Sequence, residues 1–93
     1  MNIIKDKMPV TELLAALAEE SAELAQAALK LRRVFDKTSP TPIHEDEAIE
    51  RFYEEVADVQ LTLQQIDIPW AYIKTIANKK KSRWEDRLKE IME

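Results

Sequence analysis

Glycine and cysteine are both absent from the 93-residue sequence. Tight hairpins, phosphate-binding P-loops and dinucleotide-binding turns depend on glycine, because other residues incur a steric cost at positive φ. Folds built on such turns are therefore disfavoured. Without cysteine the chain has no disulfide, no thiolate zinc site and no cysteine nucleophile, and we expect a cytoplasmic location. Helices joined by loops remain as the expected architecture.

Long apolar runs are lacking as well, so no membrane-spanning segment and no signal peptide is expected. Acidic residues outnumber basic ones by 18 to 14, which gives a net charge of −4. Because nucleic-acid binders are usually basic, DNA or RNA is not expected as the main partner. The apolar fraction of 45% is ordinary for a globular protein, so we expect one domain over residues 1–93.

Proline and polar residues divide the chain into helical segments. The pattern predicts three long helices, over residues 10–34, 45–66 and 69–91, with Thr11 as the N-cap of the first. Residues 36–44 are polar, contain two prolines and predict a loop. Residues 1–8 are long enough for a short additional helix. The fold class expected from this order is all-α.

Each long helix carries an apolar stripe at alternating spacings of three and four residues. The stripes are Leu13, Leu17, Leu24, Ala27, Ala28 and Leu31; Ala48, Phe52, Val56, Val59, Leu63 and Ile66; and Trp70, Ile73, Ala77, Trp84, Leu88 and Ile91. Glu20 and Lys80 interrupt the first and third stripes. Three such helices predict an antiparallel bundle, and apolar residues outside the stripe of the first helix indicate that homo-oligomerisation completes it.

Two pairs of carboxylates lie at matching places on the first two helices. At about 100° per residue, Glu20 and Glu23 lie about 60° and 120° to one side of Leu17. Glu55 and Asp58 lie at about the same angles from Phe52. If the two stripes pack on each other, the four carboxylates converge at the edge of the core.

A cluster of this kind needs cations, because unpaired buried carboxylates are costly and like charges repel. Ligands that are all oxygen favour a hard cation, Mg²⁺ first and Mn²⁺ second. Protein-bound Mg²⁺ usually keeps some of its waters and binds substrate phosphates, which favours phosphoester or phosphoanhydride chemistry. The competing interpretation is that these acids only form a solvated helix face, as most single Glu-x-x-Glu pairs do, in a non-catalytic interaction module.

The acid pairs also resemble a known family signature. Residues 19–24, Glu-Glu-Ser-Ala-Glu-Leu, and residues 54–59, Glu-Glu-Val-Ala-Asp-Val, resemble the Glu-x-x-Glu and Glu-x-x-Asp signature of MazG-like, all-α nucleoside triphosphate pyrophosphohydrolases. The resemblance implies a Mg²⁺-dependent enzyme that converts (deoxy)nucleoside triphosphates to monophosphate and pyrophosphate as a homodimer or homotetramer. It makes Glu20, Glu23, Glu55 and Asp58 the metal ligands and catalytic residues. The 31 residues between Glu23 and Glu55 are more than is usual for the signature.

The third helix is basic, and the same resemblance implies that Asn78, Lys80 and Arg83 bind the substrate phosphates. The alternative is a solvated face favoured by the helix dipole. Lys30, Arg32 and Arg33 are interpreted as partners of the C-terminal dipole of the first helix. His44, the only histidine, is expected to be solvated.

Related enzymes of the same superfamily stay open as alternatives, namely a dimeric dUTPase or a phosphoribosyl-ATP pyrophosphohydrolase. A single domain with a single signature favours the small MazG-like type. The sequence leaves the base and sugar preference open, as it does the choice between dimer and tetramer.

Overall fold

The computed structural model describes residues 2–40 and 43–92. These residues form four helices and no strand: α1 (Ile3–Lys7), α2 (Val10–Phe35), α3 (Glu45–Gln64) and α4 (Trp70–Met92). The all-α fold class and the three long helices are confirmed, as is the short N-terminal helix. Two positions of the predicted loop, 41 and 42, lie outside the described residues. No described helix is both long enough and apolar enough to cross a membrane.

The start of α2 is set by Pro9 and not by Thr11. Pro9 has an extended backbone, and its carbonyl oxygen accepts from the N–H groups of Glu12 and Leu13 at 3.0 and 3.1 Å. No side chain caps this helix, and Thr11 lies inside its first turn, so the N-cap prediction was wrong. The proline ring already fixes φ near its helical value, which lets the helix begin directly after it.

The end of α2 closes in a Schellman motif that lacks the usual glycine. The N–H of Lys37 donates to the carbonyl of Val34 at 3.2 Å, and the N–H of Thr38 donates to the carbonyl of Arg33 at 2.9 Å. Lys37 takes the left-handed conformation that this motif requires, with a φ of 60°. A chain without glycine therefore ends its longest helix with a residue that carries a Cβ.

Helices α2 and α3 form an antiparallel hairpin, which contains the core. The buried apolar residues in the described part of the chain are Leu13, Ala27 and Ala48. Ala27 and Ala48 line the same small cavity, so alanine stands where the two helices approach each other. Near the other end Gln65 is buried, and its side-chain amide donates to the carbonyl of Leu61 at 3.1 Å. Most of the other stripe residues of these helices are half-buried.

Helix α4 extends away from the hairpin. It buries none of its described residues, and close helix–helix packing is confined to α2 and α3 within residues 2–40 and 43–92. The stripe predicted on α4 is therefore exposed, including Trp84 at 67%. The radius of gyration is 17.3 Å, whereas a compact chain of this length has about 12 Å. The described residues of one chain thus form a two-helix hairpin with a projecting third helix, and not a closed bundle of three.

Candidate metal centre

The four predicted carboxylates meet on one flank of the hairpin. Glu20 and Glu23 lie on consecutive turns of α2, and Glu55 and Asp58 lie on consecutive turns of α3. Because the helices run antiparallel, the two pairs face each other, and one ligand atom from each residue lies within 4.8 Å of all the others. Two oxygens on opposite sides of one Mg²⁺ are about 4.2 Å apart, so the cluster has the dimensions of a cation's coordination shell.

Two of these residues, Glu20 and Glu55, each have a buried side-chain oxygen without a hydrogen-bond partner in the described part of the chain. Glu20 and Glu55 are half-buried, whereas Glu23 and Asp58 are exposed. The Oε2 atoms of Glu20 and Glu55 are buried and have no hydrogen-bond partner among the described residues. A buried polar atom without a partner costs free energy, which a bound cation would recover.

Electrostatics in the cluster oppose full ionisation. Burial raises the pKa of Glu20, and the neighbouring charges of Glu23 and Asp58 raise it further. The pKa of Glu55 is raised in the same way, first by burial and then by repulsion from Glu23 and Asp58. The two half-buried carboxyls therefore hold protons more tightly than ordinary glutamates, because burial and neighbouring negative charges both disfavour the ionised form.

The set of donors fits a hard divalent cation. All four ligands are carboxylates, and no histidine or cysteine belongs to the cluster. Such a set suits Mg²⁺ or Mn²⁺ and disfavours softer metals. Exposed acidic groups often cluster without an ion, so the buried and unpartnered oxygens are the more informative observation.

The predicted phosphate-binding residues lie apart from the carboxylates. Lys80 and Arg83 line a concavity of about 230 Å³ on α4 together with Trp84 and Arg87. Asn78 is exposed on the same helix. Since α4 does not pack on the hairpin, a single chain does not bring these side chains to the acids in the part that the structure describes. His44 is exposed at the N-cap of α3, and its side chain makes no capping hydrogen bond.

Two cations that the prediction did not assign to the site adjoin the cluster instead. Lys30 and Arg51 line a cavity of about 310 Å³ that Glu23 and Glu55 also line. At about 100° per residue, Lys30 and Arg51 lie on the same flank of their helices as the acids. The angular positions of Lys30 and Arg51 thus indicate that both lie near the acids. From the sequence alone, Lys30 is interpreted only as a partner of the helix dipole, and no role is assigned to Arg51.

An apolar concavity lies outside the cluster. It has a volume of about 490 Å³ and is lined by the apolar residues Leu24, Val56, Val59, Leu63 and Trp70 together with Gln60 and Gln64. None of the four clustered carboxylates lines it. It is a mainly apolar surface where α4 leaves the hairpin, and such a lining is suited to hydrophobic packing.

Comparison with protein-family models, with curated proteins and with solved structures finds no match to this chain. The likeness to MazG-like enzymes therefore rests on the two acid motifs and on the helices that carry them.

Proposed function

We propose that the chain is a Mg²⁺-dependent pyrophosphohydrolase of (deoxy)nucleoside triphosphates. The observation that carries the proposal is the convergence of Glu20, Glu23, Glu55 and Asp58 within 4.8 Å, with two buried oxygens that lack partners. Such a carboxylate set suits a cation that also binds phosphate oxygens. The order of the acid motifs, which resembles that of MazG-like enzymes, selects nucleoside triphosphates among phosphate substrates.

The four carboxylates would hold the metal between α2 and α3. When bound, Mg²⁺ supplies charge neutralisation at the phosphates and makes a coordinated water more acidic. In the overall reaction, water oxygen forms a bond to the α-phosphorus, the bond from that phosphorus to the α–β bridging oxygen breaks, and pyrophosphate leaves. The proton that the water loses passes to a carboxylate of the cluster or to the adjacent Glu19 or Glu54.

The cationic side chains required for the polyphosphate come in part from α4. Asn78, Lys80 and Arg83 retain the role that the resemblance implies, provided that α4 of another subunit covers the hairpin. A homodimer or homotetramer would supply such a helix. Because α4 is basic and α3 is acidic, packing of α4 from one subunit on α3 of another is electrostatically favourable.

Pyrophosphate release from a panel of ribo- and deoxynucleoside triphosphates, with and without Mg²⁺, tests the proposal. We expect release that depends on Mg²⁺ and is lost in Glu20→Ala and Asp58→Ala, while helix content stays unchanged. Glu12→Ala is the matched control, because Glu12 is an exposed acid of α2 outside the cluster. Near wild-type turnover in either cluster variant contradicts the assignment. A preference for dUTP within the panel identifies a dUTPase-like activity, and phosphoribosyl-ATP added as a further substrate tests for the other alternative.

A non-catalytic helical interaction module is the second candidate. The exposed apolar stripe of α4 favours it, because an exposed stripe of this length is typical of a binding surface. Thermal denaturation with and without Mg²⁺ separates the two. A real site gains about 2.7 kcal/mol at a hundredfold excess of Mg²⁺ over its Kd, whereas the module gains nothing.

A further inference from the structure

A cavity of about 310 Å³ lies beside the carboxylate cluster, toward the loop that joins α2 to α3. Its walls contain two of the clustered acids, Glu23 and Glu55, and two cations, Lys30 and Arg51. Its volume lies at the lower end of the range for sites that bind small molecules. The cavity is thus large enough for a small ligand, with acidic side chains at one end and basic side chains at the other.

The helices place the two cations side by side. Lys30 lies two turns beyond Glu23 on α2, and Arg51 lies one turn before Glu55 on α3. In an antiparallel pair these displacements point in the same direction, so both cations lie on the loop side of the acids. Two further cavities lie on that side: one of about 220 Å³, which Lys30 and Arg51 line together with Glu47, and one of about 440 Å³, which Lys30 and Arg33 line.

Neither cation is neutralised by the acids across the cavity. Ion pairs among the described residues join Lys5 to Asp67, Arg32 to Asp36 and Lys81 to Glu85, and none includes Lys30 or Arg51. If these two residues served only to balance Glu23 and Glu55, an exposed lysine and an exposed arginine would be long enough to contact them directly. The open cavity between opposite charges fits a ligand that contacts both.

We propose that Lys30 and Arg51 form an anion subsite that binds the polyphosphate of the substrate beside the metal. This inference rests on the proposed function, since the metal site defines which ligand reaches the cavity. A triphosphate carries more negative charge than one Mg²⁺ cancels, and its outer phosphates require further cations. Arg51 supplies the forked donors that bind phosphate oxygens in pairs, and Lys30 supplies a mobile point charge. The subsite needs no contribution from α4.

Calorimetric titration of the full chain with two probes tests the subsite. The probes are Mg²⁺ alone and inorganic tripolyphosphate in the presence of Mg²⁺, and the variants are Lys30→Gln and Arg51→Gln. Arg32→Gln is the matched control, because it removes the same charge from α2 at an exposed residue that pairs with Asp36. Circular dichroism checks that each variant keeps its helices.

We expect each subsite variant to bind tripolyphosphate about tenfold more weakly or worse, since a charge-assisted hydrogen bond is lost. Binding of Mg²⁺ alone should be unchanged or tighter, because a nearby positive charge is removed. The control should match the wild type with both probes. These opposite effects distinguish a phosphate contact from general damage to the site.

Two other results separate the subsite from the proposed function. If the wild type binds Mg²⁺ but Lys30→Gln and Arg51→Gln bind tripolyphosphate like the control, the subsite is overturned while the metal centre stands. If the wild type binds tripolyphosphate through these two cations but takes up no Mg²⁺, the metal centre is overturned while the anion subsite is supported.

Discussion

Glu20 and Glu55 place carboxylates at half-buried positions of the α2–α3 hairpin. Both are half-buried, and both have an inward oxygen without a partner. Burial and the charges of Glu23 and Asp58 raise the pKa of each carboxyl. In a small domain such conflicts reduce stability, and the proposed metal would relieve them.

The metal-free chain should become less stable as pH rises through the raised pKa values of Glu20 and Glu55. Because these carboxyls bind protons more tightly in the folded state than in the unfolded state, stability is greatest below the ordinary glutamate pKa. It is lost as pH rises through the folded-state pKa, and the loss is complete above it. Urea denaturation in the presence of EDTA, from about pH 4.5 to about pH 8, measures this slope.

The double variant Glu20→Gln/Glu55→Gln should remove this decrease of stability with rising pH. We expect it to raise the metal-free stability near neutral pH and to abolish stabilisation by Mg²⁺, because the amides are neutral and are poor Mg²⁺ ligands. Glu12→Gln/Glu50→Gln is the matched control for stability, since both are exposed acids of α2 and α3 outside the cluster. A double variant that still gains stability from Mg²⁺ would argue against the metal centre.

At the scale of single elements, the C-terminus of α2 has an identifiable strain. Lys37 adopts a φ of 60°, where a Cβ atom is crowded. Lys37→Gly should stabilise the protein by about 0.5–1 kcal/mol, because glycine takes this conformation without a steric cost. Urea denaturation measures the gain. Thr38→Gly, one residue further along, is the control and should give no gain, so equal effects of the two substitutions would contradict the explanation.

The close approach of α2 and α3 depends on small side chains. Ala27 and Ala48 are 8% and 6% exposed, and they line one cavity between the helices. Ala27→Leu should destabilise the fold by about 1–3 kcal/mol, since the added atoms force the helices apart. Ala28→Leu is an exposed control on the same turn and should stay within about 0.5 kcal/mol of the wild type. Unfolding free energies that rank the two variants in the reverse order would exclude this packing.

At the scale of the molecule, α4 is the long helix that packs on no other helix among the described residues. Trp84, Leu88 and Ile91 are 67%, 47% and 78% exposed, respectively. A chain of this size that leaves such a stripe in water loses much of its available apolar burial. Self-association that covers the stripe is the arrangement that we expect in solution.

Light scattering coupled to gel filtration at micromolar concentration should therefore give a mass above the 10.8 kDa of one chain. Trp84→Glu should lower the mass toward that of one chain, because it places a charge in the stripe. Tyr72→Glu is the matched control, since Tyr72 is exposed about 120° around α4 from Trp84, outside the stripe, and should leave the assembly intact. A wild-type mass equal to one chain would contradict self-association.

Local signals in the sequence accounted for most of the secondary structure. Prolines at 9 and 69 mark the starts of α2 and α4, and apolar spacing gave each long helix to within about two residues. The wrong N-cap at Thr11 has a local cause as well. Pro9, whose ring fixes φ, occupies the N-cap position, and the helix begins directly after it without a capping side chain.

The acid pairs were found for the same reason, since the angular position of a residue on a helix is a local property. Glu20, Glu23, Glu55 and Asp58 share one flank on their helices, and a single antiparallel pairing brings them together. Lys30 and Arg51 were equally accessible to this reasoning. Lys30 was interpreted otherwise because a basic residue near a helix C-terminus has an ordinary explanation in the helix dipole.

The sequence by itself determined where helices begin, which face of each is apolar, and which acids share a flank. These properties follow from steric limits and from the 3.6-residue period, which act over a few neighbouring residues. Only the tertiary structure decided that, within residues 2–40 and 43–92, α2 packs on α3 and no other helices pack on each other. It also decided that α4 projects and that Lys30 and Arg51 line a cavity with Glu23 and Glu55. Those outcomes depend on contacts between residues distant in the chain, and similar apolar stripes on three helices do not specify which pair will meet.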